Sequence, residues 1–161
     1  MRSPLILIRH ARAEAVASTG HDIDRPLSSH GQRQAEAIAG WLNQCMNDRH
    51  YQDWIVLHSP SVRTTQTAQL ALSDWTQPKF RPEERIWNAN ANELLQVLDH
   101  AEYRGLPQIL IGHNPGLEQL AYYLTGQLLP MGTGSALQLE WQPGKEMADV
   151  TDRFQPSIDC M

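Results

Sequence analysis

The chain has 161 residues, with 13 Lys and Arg against 18 Asp and Glu and a formal net charge of −5. That length suits a single domain over residues 1–161 with its own core, and the acidic balance without any basic run argues against nonspecific nucleic-acid or membrane-surface binding. Cys45 and Cys160 fall outside CxxC spacing, no apolar run matches a leader or a membrane span, and the seven histidines show no HExxH or ligand-spaced cluster. The expectation is a cytoplasmic, soluble protein with its cysteines as thiols and with neither metal nor cofactor.

Leu5-Ile6-Leu7-Ile8 is a run of branched aliphatics without polar alternation, as expected of a strand buried on both faces. It stops at Arg9-His10. Either this pair begins a surface loop and caps the strand, or it is a catalytic pair, since Arg9 offers a donor fork for an anion and His10 can be nucleophile, base or ligand. Residues 15–27 are rich in breakers and read as a long loop. Ser29, three residues before Gln32, opens a helix over His30 to Cys45, with Ala35, Ile38, Ala39 and Leu42 on one face. Arg49 to Asp53 is a connector.

Trp54 to His58 is a second buried strand ending at Ser59-Pro60, followed by a helix over Val62 to Leu72. Lys79-Phe80-Arg81 fits a short third strand, and Asn92 caps a helix carrying Leu94, Leu95, Val97 and Leu98. Gln108 to Ile111 is the next strand, closed by Gly112-His113-Asn114-Pro115-Gly116. A helix with Leu117, Leu120, Ala121 and Leu124 then ends at Gly126. Ala136 to Trp141 alternates, as in a strand with one face less buried, and a turn at 142–145 folds Met147 to Val150 back as an edge hairpin with a tail to 161. Alternating strands and helices predict an α/β three-layer sandwich, with a mainly parallel central sheet and helices on both faces.

Three of these strands end in phosphate-friendly groups: Arg9 and His10, then Ser59 and Arg63, then His113. If they run parallel, all converge on one rim. Phosphoryl transfer fits such a rim: His10 attacks phosphorus, Arg9 and Arg63 neutralise its oxygens, and His113 donates to another. Arg63 in its first helical turn would add backbone amides, and Gly112 would leave room for a ligand. Taken singly, Arg63 is equally a solvated helix charge, His113 a turn residue and Ser59 an N-cap. His21, His30, His50, His58 and His100 lack this placement and read as surface or structural.

Ile8-Arg9-His10-Ala11, Ser59-Pro60-Ser61-Val62-Arg63-Thr64-Thr65-Gln66-Thr67-Ala68 and Gly112-His113-Asn114-Pro115 resemble, in order, the three signatures of the histidine phosphatase superfamily, whose fold is phosphoglycerate mutase-like. Asp24-Arg25-Pro26-Leu27-Ser28 with Gly31, and Leu117-Glu118 with Leu120, are similar to its compact SixA-like phosphohistidine phosphatase branch. The resemblance implies that His10 is the phosphorylated nucleophile, Arg9 and Arg63 the phosphate clamp and His113 the second imidazole, with Arg25 at the pocket edge; Ser59, by its place at a strand end, is a further substrate-binding candidate. Ala11 replaces the glycine of the general signature, and Val16 stands where many relatives carry an asparagine. The family's acidic proton donor has no clear counterpart among Glu83, Glu84 and Glu93, and Asn88 stands where an acid might have been placed. An alkoxide leaving group, with a conjugate pKa near that of water at about 15.7, needs such an acid. A phosphoimidazole does not, because its other ring nitrogen takes a proton at about pH 6.5.

The implied activity is therefore removal of phosphate from a phosphohistidine-bearing partner in signal transduction, either a phosphotransfer domain or a phosphocarrier, with phosphate or another oxyanion in the pocket. The alternatives are a phosphomonoesterase for a small-molecule phosphate, using one of the three glutamates, and a noncatalytic phosphate-binding adaptor.

Overall fold

The aliphatic runs form the middle of a six-stranded sheet in the computed structural model of the chain, which describes residues 2–46 and 51–156. His50, Cys160, the start of the 49–53 connector and the end of the tail lie outside the described residues. The strands are β1 (Leu5–Arg9), β2 (Ile55–His58), β3 (Lys79–Pro82), β4 (Gln108–Gly112), β5 (Ala136–Glu140) and β6 (Asp149–Phe154). Their order is β3-β2-β4-β1-β5-β6, with the first four parallel and β5 and β6 antiparallel.

Helices α1 (Ser29–Cys45) and α2 (Val62–Ala71) cover one face, and α3 (Ala91–Leu98) and α4 (Gly116–Thr125) the other. The two-residue period of a strand divides β1 between them: Ile6 and Ile8 pack with Ile38, Leu42 and Leu72, while Leu5 and Leu7 pack with Leu94, Leu98 and Leu120. Each such side chain, fully buried, contributes about 1.5–3 kcal/mol of transfer free energy. The three-layer α/β arrangement is as expected, and β1, β2 and β4, which lack polar alternation, are covered on both faces.

Local details differ from the sequence reading. Ser28, not Ser29, caps α1, its hydroxyl accepting from the Gly31 N–H at 3.0 Å. Asn90, not Asn92, caps α3, and Glu93 closes the reciprocal bond to the Asn90 N–H at 3.1 Å. Each pair offers two capping side chains within two residues, and packing decides between them. β5 is buried on both faces, with Leu137 and Leu139 in the core under α3 and α4 and Gln138 only 6% exposed, and β6 takes the sheet edge in its place. β6 itself starts at Asp149, inside the expected segment, and runs past it to Phe154; it is a polar edge strand with no apolar run to announce it.

Candidate active site

Because β4 inserts between β1 and β2, three parallel strands end side by side, with Arg9 in register with Gly112 and His58 with Ile111. The His10 N–H donates to the Gly112 carbonyl at 3.1 Å, so the residues just past β1 and β4 stay together. Their imidazoles face one another with ring centroids 5.2 Å apart. Arg63 arrives from the first turn of α2, and the 15–27 loop, pinned by a bridge between Ala13 and Leu27, brings Arg25. Together they line a cavity of about 360 Å³.

Two glycines permit this convergence. A Cβ on Gly31 would fall 1.9 Å from the Arg12 carbonyl oxygen, and one on Gly116 would fall 2.1 Å from that of Ala89. Both are backbone contacts that no rotamer change relieves. Gly112 makes room for something other than a ligand: a Cβ there would meet Ile86 and Leu117 of the core.

The His10 Nδ1 lies 2.7 Å from the Ala11 carbonyl, which only accepts, so Nδ1 carries the proton and Nε2 keeps its lone pair. Burial lowers the His10 pKa to about 4, helped by the charges of Arg63, Arg9 and Arg25 and opposed by the Ala11 carbonyl. His113 is lowered to about 3, by burial first and then by His10 and the arginines. Both rings are neutral at pH 7. Burial also lowers Arg9 and Arg63, but a guanidinium remains charged.

Each arginine is held from behind. Arg9 donates from Nη1 to the Met131 carbonyl at 2.9 Å. Arg63 donates from Nη1 to the Asp22 carbonyl at 2.9 Å and from Nη2 to the Asp22 carboxylate at 3.2 Å, and its guanidinium lies 5.1 Å from the Trp87 ring centroid. Trp87 also meets His113 edge to face at 5.0 Å. Asn114 donates from Nδ2 to Glu118 and to the Met131 carbonyl, which fixes its amide.

Among the described residues, five buried side-chain nitrogen or oxygen atoms lack a partner, and four of them, Arg9 Nε, Arg63 Nε, His113 Nε2 and Asn114 Oδ1, belong to residues of this cavity. An unsatisfied buried polar atom costs about 1–3 kcal/mol, so three donor-capable atoms left open together describe a cradle for an oxyanion. Arg12 adds a fourth guanidinium to the lining, in a chain whose net charge is −5.

Of the residues singled out from sequence, Arg9, His10, Arg25, Arg63 and His113 line the cavity, and Ser59 does not. Ser59 is fully buried; its hydroxyl donates to that of Ser61 at 3.3 Å and accepts from the Ser61 N–H at 3.2 Å, so it shapes the turn. Ser61 in turn caps α2 by accepting from the Thr64 N–H, which takes up an amide expected to be open to an anion. None of the three candidate acids lines the cavity. Glu83 accepts from the Tyr103 hydroxyl at 2.6 Å and from Arg85, Glu93 closes the α3 capping box on the Asn90 N–H, and Glu84 is exposed. Asn88, at a left-handed φ of 56°, stands in the lining instead. Asp22, Trp87 and Asn114 were not picked out from the sequence as site residues; only Asn114, inside a quoted motif, carried a local signal.

Among the described residues, no group of three or more His, Cys, Asp or Glu side chains could hold a metal ion, and no helix is long and apolar enough to cross a membrane.

Comparison with known proteins bears on this geometry. The family model of the histidine phosphatase superfamily (branch 1) matches residues 5–103. An uncharacterized chloroplast protein of Arabidopsis thaliana is 27% identical over 152 residues, 84% of this chain; the chain spans 65% of that relative's length. A protein of Agrobacterium tumefaciens assigned as the phosphohistidine phosphatase SixA superimposes with a TM-score of 0.80 and 25% identity, over 97% of this chain and 99% of that one. The protein histidine phosphatase SixA complexed with tungstate gives 0.75 and 19% identity, over 94% and 96% of the two chains.

Proposed function

We propose, because the chain belongs to the histidine phosphatase superfamily (branch 1), that it removes phosphate from a phosphohistidine-bearing signalling or phosphocarrier protein through a phosphohistidine intermediate of its own. The observation that carries this reading is the cavity: a neutral His10 with its Nε2 lone pair available, surrounded by unpartnered nitrogens of Arg9, Arg63 and His113, and, among the described residues, with no carboxylate in its lining.

In the first half-reaction, His10 Nε2 attacks phosphorus, a new N–P bond forms, and the P–N bond of the substrate breaks. The departing imidazole keeps the electron pair of that bond and leaves neutral, since its other nitrogen already carries a proton. Arg9 and Arg63 face charge on the phosphoryl oxygens, and His113 donates to one of them once the bound anion has raised its affinity for a proton. Water then attacks the phosphorylated His10, releasing orthophosphate and restoring the neutral imidazole. Tungstate is the oxyanion carried by one of the superimposed structures, and it suits the same set of donors.

The lack of a carboxylate in the lining favours a nitrogen leaving group over a sugar alkoxide, because the latter needs a positioned acid. It supports no role for Glu83, Glu84 or Glu93 in a phosphomonoesterase. The test is transfer of label from a phosphohistidine domain. The expected result is a phosphoenzyme that is acid-labile and alkali-stable, and that is missing in His10→Ala. A His10→Ala variant with full turnover would overturn the reading, and clear preference for sugar phosphates would reverse the choice of substrate. An adaptor without turnover would release no phosphate even from an aryl phosphate.

A further inference from the structure

Asp22 is a residue for which the reaction outlined above has no use. It sits on a 3-10 turn (Asp22–Asp24) in the 15–27 loop, 58% exposed at the side chain, and outside the cavity lining. Its carboxylate accepts from Arg25 Nε at 2.8 Å through one oxygen and from Arg63 Nη2 at 3.2 Å through the other. It therefore bridges two of the four arginines of the cavity. Although burial works against its ionisation, the two arginines hold its carboxyl below the usual range.

The bridge has two separable parts. Arg63 is oriented largely by neutral groups, namely the Asp22 main-chain carbonyl at 2.9 Å and the Trp87 ring, and neither depends on the Asp22 side chain. Arg25 is also tied by Nη1 to the Glu14 carbonyl at 2.8 Å. What the side chain alone supplies is a negative charge against both guanidiniums. A cavity lined, among the described residues, by four arginines and no carboxylate would retain a phosphate dianion strongly, and phosphate is the product of the proposed reaction.

We infer that Asp22 is a built-in counter-charge that loosens the grip of Arg25 and Arg63 on the phosphoryl group, so that orthophosphate leaves the cavity readily. Asp22 acts through the arginines and is a positioning residue, not a catalytic one. The inference rests on the phosphatase reading of the cavity, and it concerns how tightly that cavity holds its anion.

The measurement is binding of inorganic phosphate and of tungstate, by calorimetry, to the wild-type chain and to Asp22→Asn, which keeps one of the two acceptor oxygens and removes the charge. The expected result is an affinity about three- to tenfold higher in Asp22→Asn at low ionic strength. The gain should shrink toward unity as salt rises, as for a partly exposed charge. Steady-state phosphate inhibition should strengthen by the same factor. A merely structural role would weaken binding in both Asp22→Asn and Asp22→Ala and would leave no salt-dependent gain. Unchanged or weaker binding in Asp22→Asn, or no binding to either protein, overturns the inference. The phosphatase reading is tested separately by the loss of turnover in His10→Ala, so failure of one is distinguishable from failure of the other.

Discussion

The two ends of the sheet differ in a way that cavity size alone misrepresents. At the N-terminal ends of β1 and β4 lies a hollow of about 600 Å³, larger than the 360 Å³ cavity at the C-terminal ends. Yet two of its polar groups, Arg2 and Gln108, are already engaged. Arg2 makes a two-pronged pair with Asp99 at 2.6 and 2.9 Å, and Gln108 donates to the Leu98 and Tyr103 carbonyls, both at 3.0 Å. At the opposite end, Arg9, Arg63 and His113 each keep a buried nitrogen without a partner. Unspent hydrogen-bonding capacity, held rigidly from behind, separates the cavity proposed to be reactive from the hollow at the other end.

The sharpest way to break this comparison is substitution at each end. His10→Ala should lower turnover by about a thousandfold or more, because it removes the proposed nucleophile. Arg63→Ala should cost about 10²–10³ in kcat/KM on a phosphohistidine substrate by removing a preorganised charge. Either variant retaining wild-type rates would mean that the open nitrogens mark something other than catalysis.

Gly116→Ala tests whether the cavity depends on the close backbone approach beneath it. The added methyl would press on the Ala89 carbonyl, and thermal unfolding should show a loss of about 1–3 kcal/mol, with weaker phosphate binding as Asn88 and His113 shift.

Acid should also distinguish the two ends. His10 and His113 have pKa values of about 4 and 3, below the unperturbed 6.5, so between those values the unfolded chain binds protons that the native chain does not. Stability contributed by their neutral burial is fully present above pH 6.5 and lost as pH falls toward 4. The Tm should fall over that window, and His113→Gln should flatten the slope. Added phosphate should oppose the fall by favouring the charged rings. The smallest effect is expected at the far end: Arg2→Ala should change stability by less than about 1 kcal/mol and leave phosphatase kinetics unaltered. A large kinetic effect there would erase the distinction between the two hollows.

Much of this was legible along the chain. Aliphatic runs without alternation marked β1, β2 and β4, and each was followed by a side chain suited to an anion, so Arg9, His10, Arg63 and His113 could be named before any geometry was known. Other features were less legible, for identifiable reasons. Ser59 sits in the second motif but turns inward, where its hydroxyl serves Ser61. β6 is an edge strand of polar residues, stabilised by pairing with β5 and not by an apolar stripe of its own. Glu93 looked available as an acid, but its partner, Asn90, lies only three residues away and uses it as a cap.

The sequence by itself determined the layers and which imidazole and guanidinium groups follow the strand ends, because burial of aliphatic strands and the chemistry of those groups depend on residue type and local period. The tertiary structure decided what surrounds those groups. Asp22 meets Arg63 across 41 residues of chain, and Met131 meets Arg9 across 122. Such contacts follow from strand order and loop packing, which no local pattern encodes, and they leave Arg9, Arg63 and His113 each with one buried nitrogen open at the Arg-His end of β1.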